Sequence, residues 1–198
     1  MQSELKLERA IISIIGGSGS GKDTQAKLLS EKVGLKHLSM GEIFRSEEKL
    51  GNPLVAEAAT YYNRGKWAPD RITTGVLRAY VMRNAPEGFI ITGYPRPPEQ
   101  CVSLANLAEE LELNVTAVVH IEVPDNVLLA RMHSQADEAG SDRADTTDEL
   151  MRERLKSYHE TIKPVLEYYR ERGLLINIDG SPSVEEVHSN ILAELVKL

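Results

Sequence analysis

Apolar positions fall into two alternating kinds of segment. Ala10 to Ile15, Gly88 to Thr92, Val115 to Val123 and Leu174 to Ile178 are short and almost continuously apolar, the pattern of strands buried on both faces. Lys36-His37-Leu38 is a shorter candidate for a fifth strand. Between them, apolar residues recur at helical spacing: Ala26, Leu29 and Val33 in a helix over 22–33 that Gly34 stops; Ile72, Val76, Tyr80 and Val81; Val102, Ala105, Ala108 and Leu111. Thr146-x-x-Glu149 caps a long helical pattern with Leu150, Leu155, Tyr158, Ile162 and Leu166 inward, kinked at Pro164 and ended at Gly173. Ser183-x-x-Glu186 opens the last helix, with Val187, Ile191 and Leu195 inward. Strands alternating with helices predict an α/β fold: a five-stranded parallel sheet between helical layers, with ligands at the strands' carboxyl ends.

Two segments depart from this pattern. Gly41 to Asp70 is helical in parts but holds Gly51-Asn52-Pro53 and Gly65, and Gln135 to Thr146 is short and polar. Both are expected to cover a ligand. The 198 residues suit one domain. Lys plus Arg number 23 against 30 Asp plus Glu, a net charge of −7, which argues against a nucleic-acid or anionic-membrane surface. Cys101 is the sole cysteine, and no apolar run is long enough to span a membrane. A cytoplasmic location is the expectation.

Chemistry enters between the first strand and helix. Gly16-Gly17-Ser18-Gly19-Ser20-Gly21-Lys22 satisfies G-x-x-x-x-G-K, in which glycines let backbone N–H groups and a helix N-terminus approach a polyphosphate and the lysine adds charge. The next position, ordinarily a Ser or Thr on magnesium, is Asp23, and a hydroxyl arrives only at Thr24. Such a loop fixes a nucleotide phosphate site and no reaction. Arg45, Arg96, Arg131, Arg143 and Arg154 lie near predicted strand ends or in the covering segments. That convergence suits phosphoryl transfer, whose transition state spreads negative charge over equatorial oxygens. The five histidines show neither metal-ligand spacing nor a nucleophile partner and are read as structural or exposed.

Longer strings carry a resemblance. Gly16 to Gln25 is similar to GGPGSGKGTQ, His37 to Arg45 to HLSTGDLLR, Gly65 to Asp70 to GELVPD, and Gly88 to Arg96 to GFLLDGYPR with Gln100 four residues on. Arg143-Ala144-Asp145 with Arg154 is similar to R-x-D-D and its following arginine, and Thr161 to Val165 to T-x-x-P-V. Over nearly its whole length the chain resembles the adenylate kinases of the nucleoside-monophosphate kinase family. The resemblance implies a P-loop NTPase three-layer fold, a monophosphate-binding insertion at about 41–70 and a short lid at about 135–146.

It further implies magnesium-dependent transfer of the ATP γ-phosphoryl group to AMP, giving two ADP, by a monomer. Gly17, Gly19, Ser20, Gly21, Lys22, Asp23 and Thr24 would wrap the ATP phosphates, with Arg131 and Pro182 at the ATP base. Ser39, Met40, Arg45, Lys66, Trp67, Ala68, Gly93, Arg96 and Gln100 would hold the monophosphate, Gln100 reading the adenine edge. Lys22, Arg96, Arg143 and Arg154 would carry the transfer. A lid without cysteines has nothing to build a zinc knuckle, so no structural zinc is expected.

Four positions depart from the family's pattern. Thr92 replaces an aspartate that holds magnesium through its water shell, Asp23 a glycine, Gln135 an arginine and Met40 a threonine. The carboxylate lost at 92 and that gained at 23 suggest one exchange, with Asp23 as the metal-side group. Two alternatives stay open at this point: a CMP- or UMP-type kinase, because methionine offers no strong hydrogen bond to a base, and a catalytically silent nucleotide-binding homologue.

Overall fold

The computed structural model describes residue 7 and residues 9–62, 68–85, 87–139 and 147–198. Five strands, β1 (Ala10–Ile15), β2 (Lys36–Ser39), β3 (Phe89–Thr92), β4 (Asn114–Glu122) and β5 (Leu175–Asp179), form one parallel sheet in the order β2-β3-β1-β4-β5. The expected strand segments are all present, with no end displaced by more than one residue. Helices α1 (Lys22–Val33), α2 (Met40–Lys49), α3 (Pro53–Tyr62), α4 (Asp70–Asn84), α5 (Glu99–Glu110), α6 (Asp125–Ala139), α7 (Asp148–Glu171) and α8 (Val184–Leu195) complete the described elements.

Both faces of the sheet are covered, as the continuous apolar strands require. Successive side chains of a strand point to opposite faces. Ile12 and Ile14 of β1 accordingly pack with Ala26 and Leu29 of α1, Leu128 of α6 and Ile191 of α8, while Ile11 packs with Val76 and Leu77 of α4 and Leu104 of α5. β1 is therefore buried throughout, and the loop leaving its carboxyl end is held by the centre of the molecule.

Three helical readings need correction. The inward face of α5 is Cys101, Leu104, Leu107 and Ala108, whereas Val102 and Ala105 face solvent. Apolar residues occur on both sides of this segment, and the stripe that meets the sheet is offset by one residue from the predicted one. The cap of α7 is Thr147, whose hydroxyl accepts from the Leu150 N–H at 3.4 Å, and Leu150 itself is exposed. Thr146 lies outside the described residues, but a start at Asp148 puts the capping position on its neighbour. Finally, Gln135 stands within α6, which runs to Ala139 through good helix formers.

The first covering segment consists of α2 and α3 with a break at Gly51 and Asn52. Glu47 of α2, though buried, is ion-paired with Arg83 of α4 and accepts from Asn52 Nδ2 at 2.8 Å, so this cover is braced against the core helix behind it. At its far end Asp70 accepts from the hydroxyls of Thr74, at 2.7 Å, and Ser103. Since the Thr74 proton is given to Asp70, Tyr94 donates to Thr74 across 2.6 Å. This chain of hydroxyls links the start of α4 to the segment after β3. The Ser13 hydroxyl of β1 donates to the Tyr94 carbonyl at 2.7 Å and fixes the same segment from beneath.

Candidate active site

The loop between β1 and α1 is shaped by its glycines. Gly19 (φ 84°) and Gly21 (φ 83°) occupy the left-handed region that side chains disfavour. A methyl on Gly19 would lie 2.8 Å from the Leu128 carbonyl oxygen, so the loop also has no room beneath it. The Ser20 N–H donates to the Gly17 carbonyl at 3.1 Å, and Ser20 Oγ is buried without a hydrogen-bond partner among the described residues. An unpartnered buried hydroxyl just ahead of a helix N-terminus fits an anionic oxygen ligand.

Lys22 lies at the mouth of this loop. Its ammonium is 3.4 Å from the Gly17 carbonyl and 3.9 Å from Asp23 Oδ2. Burial pushes its pKa down, Asp23 pulls it up, and the Arg96 guanidinium adds a further downward push. Lys22 follows β1 and Arg96 follows the neighbouring parallel strand β3, so the fold sets both cations at the same edge of the sheet. Arg96 lies over Gly93, and a methyl on Gly93 would come within 3.2 Å of Arg96 Nη2 and 3.6 Å of Met40 Cβ. Arg45 lies over Gly41 in the same manner, with Nη1 3.4 Å from the corresponding position. Ser39 ends β2 and precedes α2, and Met40 is buried at the start of that helix.

Two further residues are held by backbone. The Arg96 N–H donates to Gln100 Oε1 at 2.9 Å, leaving the buried Gln100 side chain its amide NH2 as a donor. Arg131 of α6 donates to the carbonyls of Gly180, at 3.1 Å, and Gly19, at 3.5 Å. Its guanidinium therefore bridges the phosphate loop and the β5–α8 turn carrying Pro182. Arg154 stands on α7, Ala68 packs under the first cover with Ala58 and Ile72, and Lys66, Trp67 and Arg143 lie outside the described residues.

The two departures at 23 and 92 meet. The Thr92 hydroxyl donates to Asp23 Oδ1 at 2.6 Å, and His37 Nε2 lies 3.1 Å from the same hydroxyl oxygen. Because the only hydroxyl proton goes to Asp23, His37 Nε2 must be the donor in its contact with Thr92. Burial lowers the His37 pKa, opposed by Asp23 and Glu42 and aided by Lys27, which favours the neutral ring with its proton on Nε2. Sequence reasoning gave His37 no part in the site. The available signal was its position two residues before Ser39, the partner of Thr92 across β2 and β3, and hence on the same sheet face.

With Asp23 and Thr24 the mouth of the loop offers exposed hard oxygen donors of the kind magnesium takes, directly or through water, whereas the buried Thr92 hydroxyl is engaged by Asp23 and His37. No group of three His, Cys, Asp or Glu side chains among the described residues is arranged to hold a metal alone. No helix among the described residues is long and apolar enough to cross a membrane.

Comparison with known proteins agrees with this geometry. The adenylate kinase family model matches residues 14–174. An adenylate kinase of Synechococcus sp. (strain WH7803) is 36% identical over 181 residues, covering 91% of this chain and 96% of the relative. Adenylate kinases of Micrococcus luteus and Corynebacterium glutamicum (strain R) are each 36% identical, over 180 and 185 residues, covering 90% and 93% of this chain and 87% and 98% of the relatives. The parallel sheet in its 2-3-1-4-5 order, the glycine loop at the end of its central strand and similarity over most of the length agree on one point: the chain belongs to the adenylate kinase family.

Proposed function

We propose that the chain performs the adenylate kinase reaction, moving the γ-phosphoryl group of ATP to AMP, with the ATP phosphates in the β1–α1 loop and the AMP phosphate between Arg45 and Arg96. The observation that carries this reading is that the Lys22 loop leaves the carboxyl end of β1 while Arg96, packed against Gly93, follows the carboxyl end of the neighbouring parallel strand β3. One cation belongs to the phosphate loop and the other to the segment after β3, so two phosphate sites share one field. An incoming polyphosphate relieves the repulsion between them. Charge developing on the transferred group lies between donors already in place, the condition under which a single donor contributes about 10²–10³ in rate.

Each side chain then has a chemical task. Backbone N–H groups of residues 19–24 and the buried Ser20 hydroxyl bind the ATP phosphates, and Lys22 follows the group in transfer. Arg131, fixed by Gly19 and Gly180, lays its planar cation against the ATP base beside Pro182. Gln100 donates its amide to the acceptor base while its oxygen holds Arg96, and Met40 packs on that base. Ser39, Lys66, Trp67, Ala68 and Gly93 complete the acceptor pocket, and Arg143 and Arg154 brace the phosphoryl group from the lid. A magnesium ion bound with ATP would lie beside Asp23 and Thr24 and would supply neutralisation of phosphate charge. No residue serves as a covalent nucleophile.

The test is a coupled assay with Mg·ATP and each of AMP, CMP, UMP and GMP. The expected result is turnover with AMP well above the others. A CMP or UMP preference would reassign the acceptor. Absence of turnover with all four, alongside intact ATP binding, would make the chain a silent nucleotide-binding homologue.

A further inference from the structure

We propose that Asp23 is the carboxylate through which this chain meets the nucleotide's magnesium, having taken over the task of the strand-end position now occupied by Thr92, and that Thr92 and His37 position it. This inference rests on the reading of the β1–α1 loop as an ATP phosphate site.

Three observations carry it. First, the carboxyl end of β3 beside the loop bears the buried, neutral Thr92, and the carboxylate that pairs with Lys22 there is that of Asp23. Second, Thr92 is not merely a lost charge. Its hydroxyl grips Asp23 Oδ1 at 2.6 Å and is itself gripped by His37 at 3.1 Å. A carboxylate oxygen is thus fixed one hydrogen bond beyond the strand-end side chain. Third, Asp23 Oδ2 faces Lys22 at 3.9 Å, and the Asp23 side chain is half exposed toward the loop mouth.

Helix capping accounts for these contacts less well. The α1 N-cap is Gly21, without a side-chain cap bond, and the hydrogen bond Asp23 makes is to Thr92, not to α1 backbone. An uncompensated carboxylate beside a polyphosphate opposes binding, whereas a divalent cation between them reverses the sign of that interaction. The Asp23 anion is therefore useful to ATP binding only with the metal present.

The test measures retention of Mn2+, by its electron paramagnetic resonance signal, on the full-length protein saturated with β,γ-methylene-ATP. Asp23→Asn keeps an acceptor for Thr92 and removes the charge. It should weaken Mn2+ retention roughly 10- to 100-fold, while metal-free affinity for the analogue, measured by calorimetry, stays the same or rises. The double variant Asp23→Gly/Thr92→Asp returns the carboxylate to the strand and should recover retention to within a few-fold. Thr92→Val should show a smaller loss that Thr92→Ser reverses, with unfolding temperature as the check on folding.

Unchanged Mn2+ retention in Asp23→Asn overturns the proposal, as does failure of a well-folded double variant to recover it. The assignment and the reaction fail separately. Normal AMP turnover by the unmodified chain with full retention in Asp23→Asn overturns the metal assignment alone. Lost retention in a chain that phosphorylates no monophosphate supports the assignment and overturns the reaction.

Discussion

The Thr92 hydroxyl donates to the Asp23 carboxylate at 2.6 Å and so ties the end of β3 to the first turn of α1, 69 positions away in sequence. Hydrogen bonds to charged groups are among the stronger ones, but Asp23 is 51% exposed and water competes for it. The pair is expected to contribute about 0.5–1.5 kcal/mol. A double-mutant cycle of Asp23→Ala and Thr92→Val, read by urea unfolding of nucleotide-free protein, should give a coupling energy within that range. Independent, additive losses would mean that the contact does not persist in solution.

Gln100 predicts the acceptor. With its oxygen accepting from the Arg96 N–H at 2.9 Å, its amide NH2 matches a ring acceptor, adenine N1 or cytosine N3, and opposes guanine and uracil, which present ring N–H groups there. AMP and CMP should therefore have lower KM than GMP and UMP. Gln100→Glu keeps the bond to Arg96 and loses the donor, so KM for AMP should rise at least about tenfold, roughly the effect of an unpaired buried polar contact. Steady-state kinetics with the four monophosphates decide this, and an unchanged AMP KM would remove Gln100 from base recognition.

What the sequence disclosed and what it withheld divide along one line. The β1–loop–α1 unit could be read because strand periodicity, glycines and helix are contiguous, and the capping box of Ser183 and Glu186 is present for the same reason. In α5 local pattern offers Leu104 and Leu107 beside Val102 and Ala105, and in α7 Thr147 beside Thr146, so each is left open by one residue, while Cys101 is buried as its apolar character implies. Contacts across the sheet were out of reach. β2 pairs with β3, 50 residues later, so nothing local places His37 against Thr92. The carbonyl partners of Arg131 come from two separate loops, which is why its position as a bridge emerged only in three dimensions.

Gly180 is a steric prediction. A methyl there would run into Ile121 Cγ2 and lie 2.6 Å from Val123 Cγ2. Both neighbours are β-branched and buried, Ile121 in β4 and Val123 just beyond its end, so they yield little. Gly180→Ala should destabilise the protein by about 1–3 kcal/mol. Displacement of the turn also moves the carbonyl that holds Arg131 at 3.1 Å, so KM for ATP should rise more than KM for AMP. Thermal unfolding and kinetics with each substrate varied in turn measure the two effects. Loss of stability with both KM values unchanged would show that Arg131 does not depend on this turn.

His120 sets an expectation for pH. Its Nδ1 lies 3.1 Å from Asn177 Oδ1, an acceptor, so Nδ1 carries the proton and the Tyr158 hydroxyl donates to Nε2 at 2.8 Å. Burial lowers the His120 pKa, and Arg170 adds to this, against the opposing effects of Asn177 and Glu122. The folded value lies below the ordinary value of about 6.5, so between the two the unfolded chain binds more protons and stability rises with pH. The contribution is complete above about pH 6.5 and is lost as pH falls toward the folded value. His37 and His188, also lowered by burial, act with the same sign. Lowered carboxylates such as Glu110 and Asp148 act only below about pH 4.5, outside this window. Unfolding free energy should therefore fall from pH 7.5 to 5.5, with His120 supplying at most about 1.4 kcal/mol per pH unit. His120→Gln, which retains a donor and an acceptor, should flatten that slope without abolishing it, because the other two histidines remain. Urea unfolding at half-unit intervals gives both slopes, and identical slopes would show that His120 takes up protons as readily in the folded protein as in the unfolded one.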